Sequence, residues 1–165
     1  MEITIDAMQD KYWQSIRAIY SEGIRTGNAT FETKVPKKEA WNKDHLEECR
    51  LVAKRGDKIV AWAALSPVSG RCIYAGVAEV SIYVCAKFRG KGIGKQLLQA
   101  LIEDSELSGI WTLQAGIFPE NKASISIHES LGFRIVGLRE KIGRLDGIWR
   151  DVILMERRSK VVGIS

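Results

Sequence analysis

The chain has 165 residues, a formal net charge of +5 and a sequence pI of about 9.2. This length suits one folded domain, and no apolar run approaches the length of a membrane-spanning helix. The basic residues are dispersed without a run of five, and the N-terminus lacks the regions of a secretory signal. Cys49, Cys72 and Cys85 lack the spacing of a zinc site or a disulfide framework, so we expect a cytoplasmic protein without nucleic-acid or membrane partners.

In chain order, the first half predicts a strand, two helices separated by a loop, and a hairpin. Residues 3–5 form the strand, and apolar residues at helical spacing between Trp13 and Tyr20 indicate a helix that Gly23 and Gly27 end. The loop over residues 26–33 has turn-forming residues around one aromatic side chain, and such loops often carry binding residues. The other predicted elements are a helix from Pro36 to about residue 47 and a hairpin of residues 51–55 and 58–65 around Gly56 and Asp57.

Residues 77–102 organise the chain, because a strand there runs into a glycine-rich turn and then a helix. Residues 77–84 alternate with period two and place Glu79, Ser81 and Tyr83 on the polar face. From Ile93 onward the apolar residues recur every three or four positions, as on one face of an amphipathic helix.

The second half predicts a strand over residues 110–118 and a helix over 123–130 that Gly132 ends. Residues 134–157 predict further strands, broken by turns at Gly143 and at Asp146 and Gly147. Strands and helices mix without strict alternation, so we expect a single α+β domain around a mixed sheet.

The turn over residues 89–95 is a candidate anion site. Its glycines let the backbone approach a ligand, and the helix N-terminus directs N–H groups and a positive dipole at it. Arg89, Lys91 and Lys95 add positive charge. The turn fails the nucleotide-triphosphatase pattern because Gln96 follows Lys95, and the dinucleotide pattern because position 95 is not glycine. A phosphate or pyrophosphate is the expected ligand, and an ordinary tight turn with solvated lysines is the alternative.

Arg89, Gly92 and Gly94 resemble the Arg/Gln-x-x-Gly-x-Gly/Ala loop with which GNAT acetyltransferases bind the pyrophosphate of acetyl-CoA. Asn121 and Ser124, on a helix that ends in Gly-Phe, are similar to a second GNAT signature that contacts the pantetheine and phosphate arm. The resemblance implies an α+β three-layer fold: a mixed, mostly antiparallel sheet with a splay between its two central strands, flanked by helices. It implies a single N-acetyltransferase domain over residues 1–165 with a frayed tail from about 159, acetyl-CoA as co-substrate, and no metal.

His128 departs from the commonest GNAT form, which carries a Tyr general acid there, and with Glu79 it resembles the phosphinothricin and methionine sulfoximine acetyltransferases. Residues 30–33, Thr-Phe-Glu-Thr, and 147–151, Gly-Ile-Trp-Arg-Asp, are also similar to that subfamily. The resemblance implies that Glu79 is the base, directly or through water, and that His128 is a general acid or a second base. An exposed strand carboxylate and a helix histidine satisfied by a neighbour remain the structural alternatives. We expect His45, in a polar helix, to be solvated.

The resemblance also implies that the end of the central strand binds pantetheine as an added strand would, with a backbone N–H facing the thioester oxygen. The implied cofactor-binding residues are Ile82, Tyr83, Val84, Arg89, Gly90, Lys91, Gly92, Ile93, Gly94, Lys95, Asn121 and Ser124.

A phosphinothricin-like acceptor carries a free amine beside a carboxylate, and Arg71 is the predicted partner of that carboxylate. Tyr74 is expected to wall the pocket and Phe31 to cover it. The predicted substrate-binding residues are Phe31, Ser69, Gly70, Arg71, Tyr74, Glu79, Val80 and Ser81.

The leading hypothesis is an acetyl-CoA-dependent N-acetyltransferase, an acyltransferase that acts on the amine of a small amino-acid-like substrate in a ternary complex. One alternative acetylates a peptide N-terminus, a polyamine or another amine at the same cofactor site. A second alternative holds CoA or an acidic polymer without catalysis, and the carboxylate of Glu79 on the strand argues against it. The resemblance further implies a homodimer with its active site near the interface.

Overall fold

The computed structural model describes residues 2–165, so Met1 of the predicted 1–165 domain lies outside it. Seven strands form one sheet in the order β1-β2-β3-β4-β5-β7-β6, antiparallel except between β4 and β5. The strands are β1 (Thr4–Ala7), β2 (Leu51–Arg55), β3 (Lys58–Pro67), β4 (Val77–Val84), β5 (Thr112–Ile117), β6 (Arg134–Leu145) and β7 (Ile148–Arg158). The helices are α1 (Trp13–Arg25), α2 (Lys38–Asp44), α3 (Ile93–Leu107) and α4 (Lys122–Ser130).

Helices cover both faces of the sheet, so the predicted three-layer α+β architecture is confirmed. On one face, the fully buried Leu97 and Leu101 of α3 pack in a cluster with Ala78 of β4. Complete burial of one such leucine stabilises the fold by about 1.5–3 kcal/mol. On the other face, Trp62 of β3 contacts Tyr20 of α1 and Trp41 of α2, with ring centroids 5.4 and 5.6 Å apart. None of the helices within residues 2–165 has the length and apolar composition that a bilayer crossing requires.

The two central strands separate after a short paired stretch. β4 and β5 pair in parallel from Val77 with Thr112 to Glu79 with Gln114. β4 continues to Val84 and β5 to Ile117. Beyond Glu79, the edges that these strands turn towards each other carry no ladder in the described chain. The predicted splay is therefore present, and it leaves backbone N–H and C=O groups available to a ligand.

Two predicted boundaries were wrong for identifiable reasons. Gly23 lies inside α1 rather than at its end. A glycine is needed there for packing and not to end the helix, because a Cβ would stand 2.5 Å from the ring of Tyr83. Gly143 is not a turn: β6 runs through it with a bulge. In that bulge Lys141 has a φ of 44°, and its N–H donates a hydrogen bond of 2.8 Å to the Asp151 carboxylate.

Side chains next to the C-terminal segment contact its backbone. The Arg158 guanidinium donates hydrogen bonds to the carbonyls of Val162 and Gly163, at 2.8 and 2.7 Å. The Ser159 hydroxyl is buried beside Glu106 and accepts from the N–H of Val161. These contacts oppose fraying of residues 159–163, and the predicted frayed tail stays a prediction.

Candidate active site

Glu79 stands where the two central strands separate. It lies on the polar face of β4, half-buried, in the last residue pair that β4 forms with β5. The side-chain amide of Gln114, its partner in that pair, donates a hydrogen bond of 2.9 Å to the Glu79 carboxylate. The carboxylate is therefore held in one orientation at the start of the gap.

A cavity of about 440 Å³ occupies the gap and is lined by residues from both faces of the sheet. Side chains at alternate positions of a strand point to opposite faces, so the two sides of the cavity have separate walls. One wall contains Glu79, Ser81, Tyr83, Gln114, Gly116, Val152, Leu154 and Arg139, with Ala29, Thr30 and Phe31 from the loop after α1. The other wall contains Ile82, Ala115 and Ile117, with Asn121, Ser124 and His128 from α4.

The predicted anion loop lies at the N-terminus of α3, beside the far end of β4. Gly92 precedes the helix in the left-handed region, with a φ of 83°. The N–H groups of Ile93, Gly94 and Lys95 have no acceptor within the described residues, as is usual in a first helical turn. Gly94 permits α3 to pack closely against α4 and β4, because a Cβ there would lie 3.3 Å from Ile127 of α4 and 3.6 Å from Val84.

Two basic side chains of the same loop have defined contacts. The Arg89 guanidinium donates 3.2 Å to the carbonyl of Val84, which fixes it at the end of β4. Lys91 lies over the Phe88 ring, 5.6 Å from its centroid. The glycine turn and the unpaired N–H groups are therefore present together, with Arg89 at the end of β4, and anion binding by this loop stays a prediction.

The side chain of Tyr83 has a packing role that the sequence did not reveal. Its ring stacks on Trp62 at 5.0 Å and meets Tyr20 at 4.9 Å. Burial raises the pKa of Tyr20 to about 12 and also raises the pKa of Tyr83, so both phenols stay neutral. Tyr83 therefore anchors β4 to α1, while its backbone remains at the edge of the gap.

His128 is buried on α4 and lines the cavity. Its Nδ1 lies 2.7 Å from the carbonyl oxygen of Ser124, which can only accept, so Nδ1 carries the proton. Its Nε2 is buried with no hydrogen-bond partner among the described residues, and the ring meets Phe133 edge-on at 4.9 Å. Burial lowers the pKa of His128 below its ordinary value of 6.5, so near neutral pH Nε2 is a lone-pair acceptor.

The loop after α1 is held over the cavity by polar contacts. Asn121 accepts a hydrogen bond from the N–H of Ser124 and donates to the carbonyl of Asn28. The Arg150 guanidinium donates to the carbonyl of Gly27 and to the Asn28 side chain, at 2.8 and 2.9 Å. This Arg-Asn clamp holds the residues that lead into Phe31.

Phe31 lines the cavity from that loop, and its predicted role in covering the substrate stays a prediction. Its ring meets Phe118 edge-on, with centroids 4.9 Å apart. A Cβ on Gly143 would lie 2.9 Å from the same ring. Gly143 is therefore needed for space beside Phe31.

The loop between β3 and β4 supplies none of the cavity lining in the described chain. Arg71 is exposed and lies over the ring of Tyr74, 5.6 Å from its centroid. Ser69 accepts a hydrogen bond from the N–H of Arg71, and Gly70 lies between them. The predicted substrate roles of these four residues stay predictions, and the structure does not bring them to the cavity.

The prediction for His45 was wrong. Its ring stacks on Trp41 with centroids 4.1 Å apart, and its Nδ1 lies 2.7 Å from the carbonyl oxygen of the same residue. Burial lowers the pKa of His45, with a further lowering from Arg50. This histidine is part of the aromatic packing rather than the solvated surface.

Two polar residues of the cavity wall were missed. Gln114 is a polar residue in an otherwise apolar strand, which is a signal that the sequence contains. Arg139 lies in a stretch of β6 with several other charged residues, so nothing in the sequence distinguishes it. Its place in the cavity depends on pairing between strands that are distant along the chain.

The chain matches the model of the Acetyltransferase (GNAT) family over residues 13–133. It is 33% identical to an L-methionine sulfoximine/L-methionine sulfone acetyltransferase of Pseudomonas aeruginosa over 86% of each chain. It is 32% identical to a phosphinothricin N-acetyltransferase of Alcaligenes faecalis over 93% of this chain and 81% of the relative.

A solved structure supports the same assignment. The fold is similar to that of a GNAT superfamily phosphinothricin acetyltransferase from Sinorhizobium meliloti in complex with acetyl-CoA, with a TM-score of 0.90. The two are 29% identical over 100% of this chain and 92% of the other. The chain belongs to the GNAT acetyltransferase family, which confirms the predicted fold and enzyme class.

Proposed function

We propose that this enzyme transfers the acetyl group of acetyl-CoA to the amine of a small amino-acid-like acceptor. The observation that carries the proposal is the place of Glu79, a carboxylate held by Gln114 at the point where β4 and β5 separate. The relatives whose names include methionine sulfoximine, methionine sulfone and phosphinothricin support an acceptor of this size.

The residues present fit acetyl-CoA along one side of the gap. The first turn of α3 and Arg89 suit its pyrophosphate, because N–H groups and positive charge converge there. The unpaired edge of β4 at Ile82 and Val84 suits the amide-containing pantetheine, which can bind as an added strand does. Bound acetyl-CoA supplies a thioester carbon that an amine attacks, forming a C–N bond as the C–S bond breaks.

Glu79 lies on the cavity wall opposite the side proposed for acetyl-CoA, and it acts on the acceptor from there. An amine attacks only after it loses its ammonium proton, and model amines of this kind titrate near 10. Glu79 takes that proton, directly or through a water, and Gln114 holds its carboxylate towards the gap. The single polar contact recorded for Glu79 leaves its other lone pairs available for the proton.

His128 acts as an acceptor rather than as an acid in this proposal. With Nδ1 protonated against Ser124, only the Nε2 lone pair is available. The lowered pKa of His128 opposes the protonated form that a general acid needs. His128 therefore accepts a hydrogen bond from a group in the cavity.

A free-thiol release assay with acetyl-CoA tests the proposal. The panel is phosphinothricin, methionine sulfoximine, ordinary amino acids, polyamines and short peptides. Turnover that is fastest on the amino-acid analogues supports it. Turnover confined to peptides or polyamines overturns the acceptor assignment and selects the alternative acetyltransferase. Acetyl-CoA binding without turnover on any amine selects the non-catalytic binding module.

We also propose that the enzyme is a homodimer in the cytoplasm. β6 is an edge strand, and exposed apolar side chains gather on the β6–β7 hairpin, a surface that a second copy would cover. Sedimentation velocity should give the mass of two chains, and the Leu138→Glu, Ile148→Glu double variant should give one. The exposed apolar residues of the β6–β7 hairpin are Ile135, Val136, Leu138, Ile142, Ile148 and Trp149.

All three cysteines are free thiols, which fits a reducing compartment.

A further inference from the structure

One exposed, positively charged side chain lines the cavity, and the proposed chemistry does not use it. Within residues 2–165, Arg139 is the only lysine or arginine in the lining, and Glu79 is the only carboxylate. Among the same residues no ion pair or hydrogen bond joins the Arg139 side chain to the protein. The nearby Arg150 differs, because Gly27, Asn28 and Glu120 occupy its guanidinium.

The pairing of the strands puts Arg139 on the same wall as Glu79. Residues directly opposite each other in paired strands share a face, and so do residues two apart in one strand. The path crosses from β4 to β5, β7 and β6 without changing face. Glu79 pairs with Gln114 of β5. Two residues further along β5, Gly116 pairs with Leu154 of β7, and two residues from Leu154 along β7, Val152 pairs with Arg139 of β6.

The β6 bulge keeps Arg139 and the residues after it at the cavity. The register shifts between Arg139 and Gly143, and Lys141 takes the left-handed conformation with its N–H bound to Asp151. Ile142 and Gly143 then line the same cavity as Arg139. Bulges commonly re-aim side chains next to active sites in this way.

The strands that carry the two charged residues lie far apart in the sheet. Arg139 is three strands away from Glu79, which is about 14 Å between the backbones at the usual spacing of paired strands. A carboxylate on the carbon that bears the reacting amine stays beside Glu79. A guanidinium across the cavity instead meets a group at the far end of the acceptor side chain.

We propose that Arg139 binds a negative group at the distal end of the acceptor, so the enzyme favours amino acids whose side chains end in an acid. This inference rests on the proposed function and specifies its substrate class. It assigns the distal recognition to Arg139 of β6, and leaves the predicted role of Arg71 to the carboxylate near the amine.

The test compares two acceptors of similar length in one assay. Phosphinothricin ends in an anionic phosphinate, and methionine sulfone ends in a neutral polar group. In Arg139→Gln, kcat/KM for phosphinothricin should fall at least tenfold, mainly through KM, while kcat/KM for methionine sulfone changes less than twofold. Arg139→Lys should recover part of the loss. The matched control is Arg144→Gln, on the same strand with its side chain at Trp149 and Gly147, which should change neither value.

Methionine sulfone turnover reports whether the variant is folded, so a selective loss is not a folding defect. The proposal is overturned if Arg139→Gln lowers kcat/KM equally for both acceptors or lowers it for neither. It is also overturned if Arg71→Gln alone shows the selective loss. In each of those cases the proposed acetyltransferase function stands. If the unaltered enzyme acetylates neither acceptor, the proposed function fails and this inference fails with it.

Discussion

The amide of Gln114 donates a hydrogen bond of 2.9 Å to the carboxylate of Glu79 across the last residue pair of β4 and β5. This bond ties the proposed base to the neighbouring strand. Gln114→Leu removes it, and hydrogen bonds to charged groups contribute about 1.5–3 kcal/mol. We expect kcat to fall about tenfold or more with the KM for acetyl-CoA unchanged, measured by thiol release.

The chain offers a matched control for Gln114. Gln99 donates the same kind of hydrogen bond, also 2.9 Å long, to Glu103 on the exposed face of α3. Gln99→Leu should leave kcat within twofold of the unaltered enzyme. If both variants lose activity equally, Gln114 does not act through Glu79.

Gly92 should be required for acetyl-CoA binding because of its backbone. Its φ of 83° lies in the left-handed region, and nothing lies within 4 Å of a Cβ placed there. Gly92→Ala therefore adds strain of about 1–2 kcal/mol without a clash. We expect the dissociation constant of acetyl-CoA, measured by calorimetry, to rise about tenfold as the first turn of α3 shifts.

Gly56 is the control for that substitution. It lies in the β2–β3 turn with a φ of 61° and equally open surroundings. Gly56→Ala should cost similar stability and leave acetyl-CoA binding unchanged. Equal losses of binding in both variants would show that general destabilisation, not the anion loop, is responsible.

The two histidines should make the fold less stable in mild acid. Burial lowers the pKa of both His128 and His45 below 6.5. Between each lowered value and 6.5 the unfolded chain binds more protons than the folded chain, so the free energy of unfolding falls as the pH drops below 6.5. Above 6.5 this contribution is fully present.

Urea unfolding between pH 7.5 and 5 measures this dependence. The slope of stability against pH should decrease in His128→Gln and again when His45→Gln is added. A slope unchanged in the double variant would contradict the assignment to these two side chains.

Arg150 should hold the loop that carries Phe31. Its guanidinium bonds to Gly27 and Asn28 and lies 4.0 Å from the centroid of the Phe118 ring. A lysine cannot reproduce this planar fork. Arg150→Lys should cost about 2 kcal/mol in urea unfolding and raise the acceptor KM several-fold more than the KM for acetyl-CoA.

Arg134→Lys is the comparison for Arg150. Arg134 pairs with Glu156 at the surface, and its side chain is 67% exposed, so its pair contributes at most about 1 kcal/mol. That variant should match the unaltered enzyme in both KM values. A rise in acceptor KM in both variants would remove the special role of Arg150.

The local pattern of the sequence predicted the strand, turn and helix to which we assign acetyl-CoA binding. Alternation over residues 77–84, the glycines at 90, 92 and 94, and the period of α3 are all short-range signals, and the structure shows the strand, turn and helix that they predict. The hairpin of β2 and β3 follows from the turn at Gly56 for the same reason. These features depend on neighbours in sequence.

The proposed acceptor half was predicted less completely because it depends on contacts between distant strands. Arg139 reaches the cavity only through the pairing of β6 with β7 and of β7 with β5. Gly143 reads as a turn in sequence, but in the fold it makes room for Phe31. His45 follows Trp41 by four residues, a spacing at which helical side chains meet, but its packing also depends on Trp62 of β3, which is distant in sequence.

The most direct test of the account is the turnover of Glu79→Gln with its best acceptor, with the affinity for acetyl-CoA measured in the same preparation. Glutamine keeps the size of the side chain and can still accept the hydrogen bond from Gln114, but it cannot take a proton. Loss of a general base typically lowers the rate by 10²–10⁴-fold, and we expect a fall of about that size with acetyl-CoA affinity unchanged. A folded Glu79→Gln enzyme with kcat within threefold of the unaltered enzyme would contradict the account.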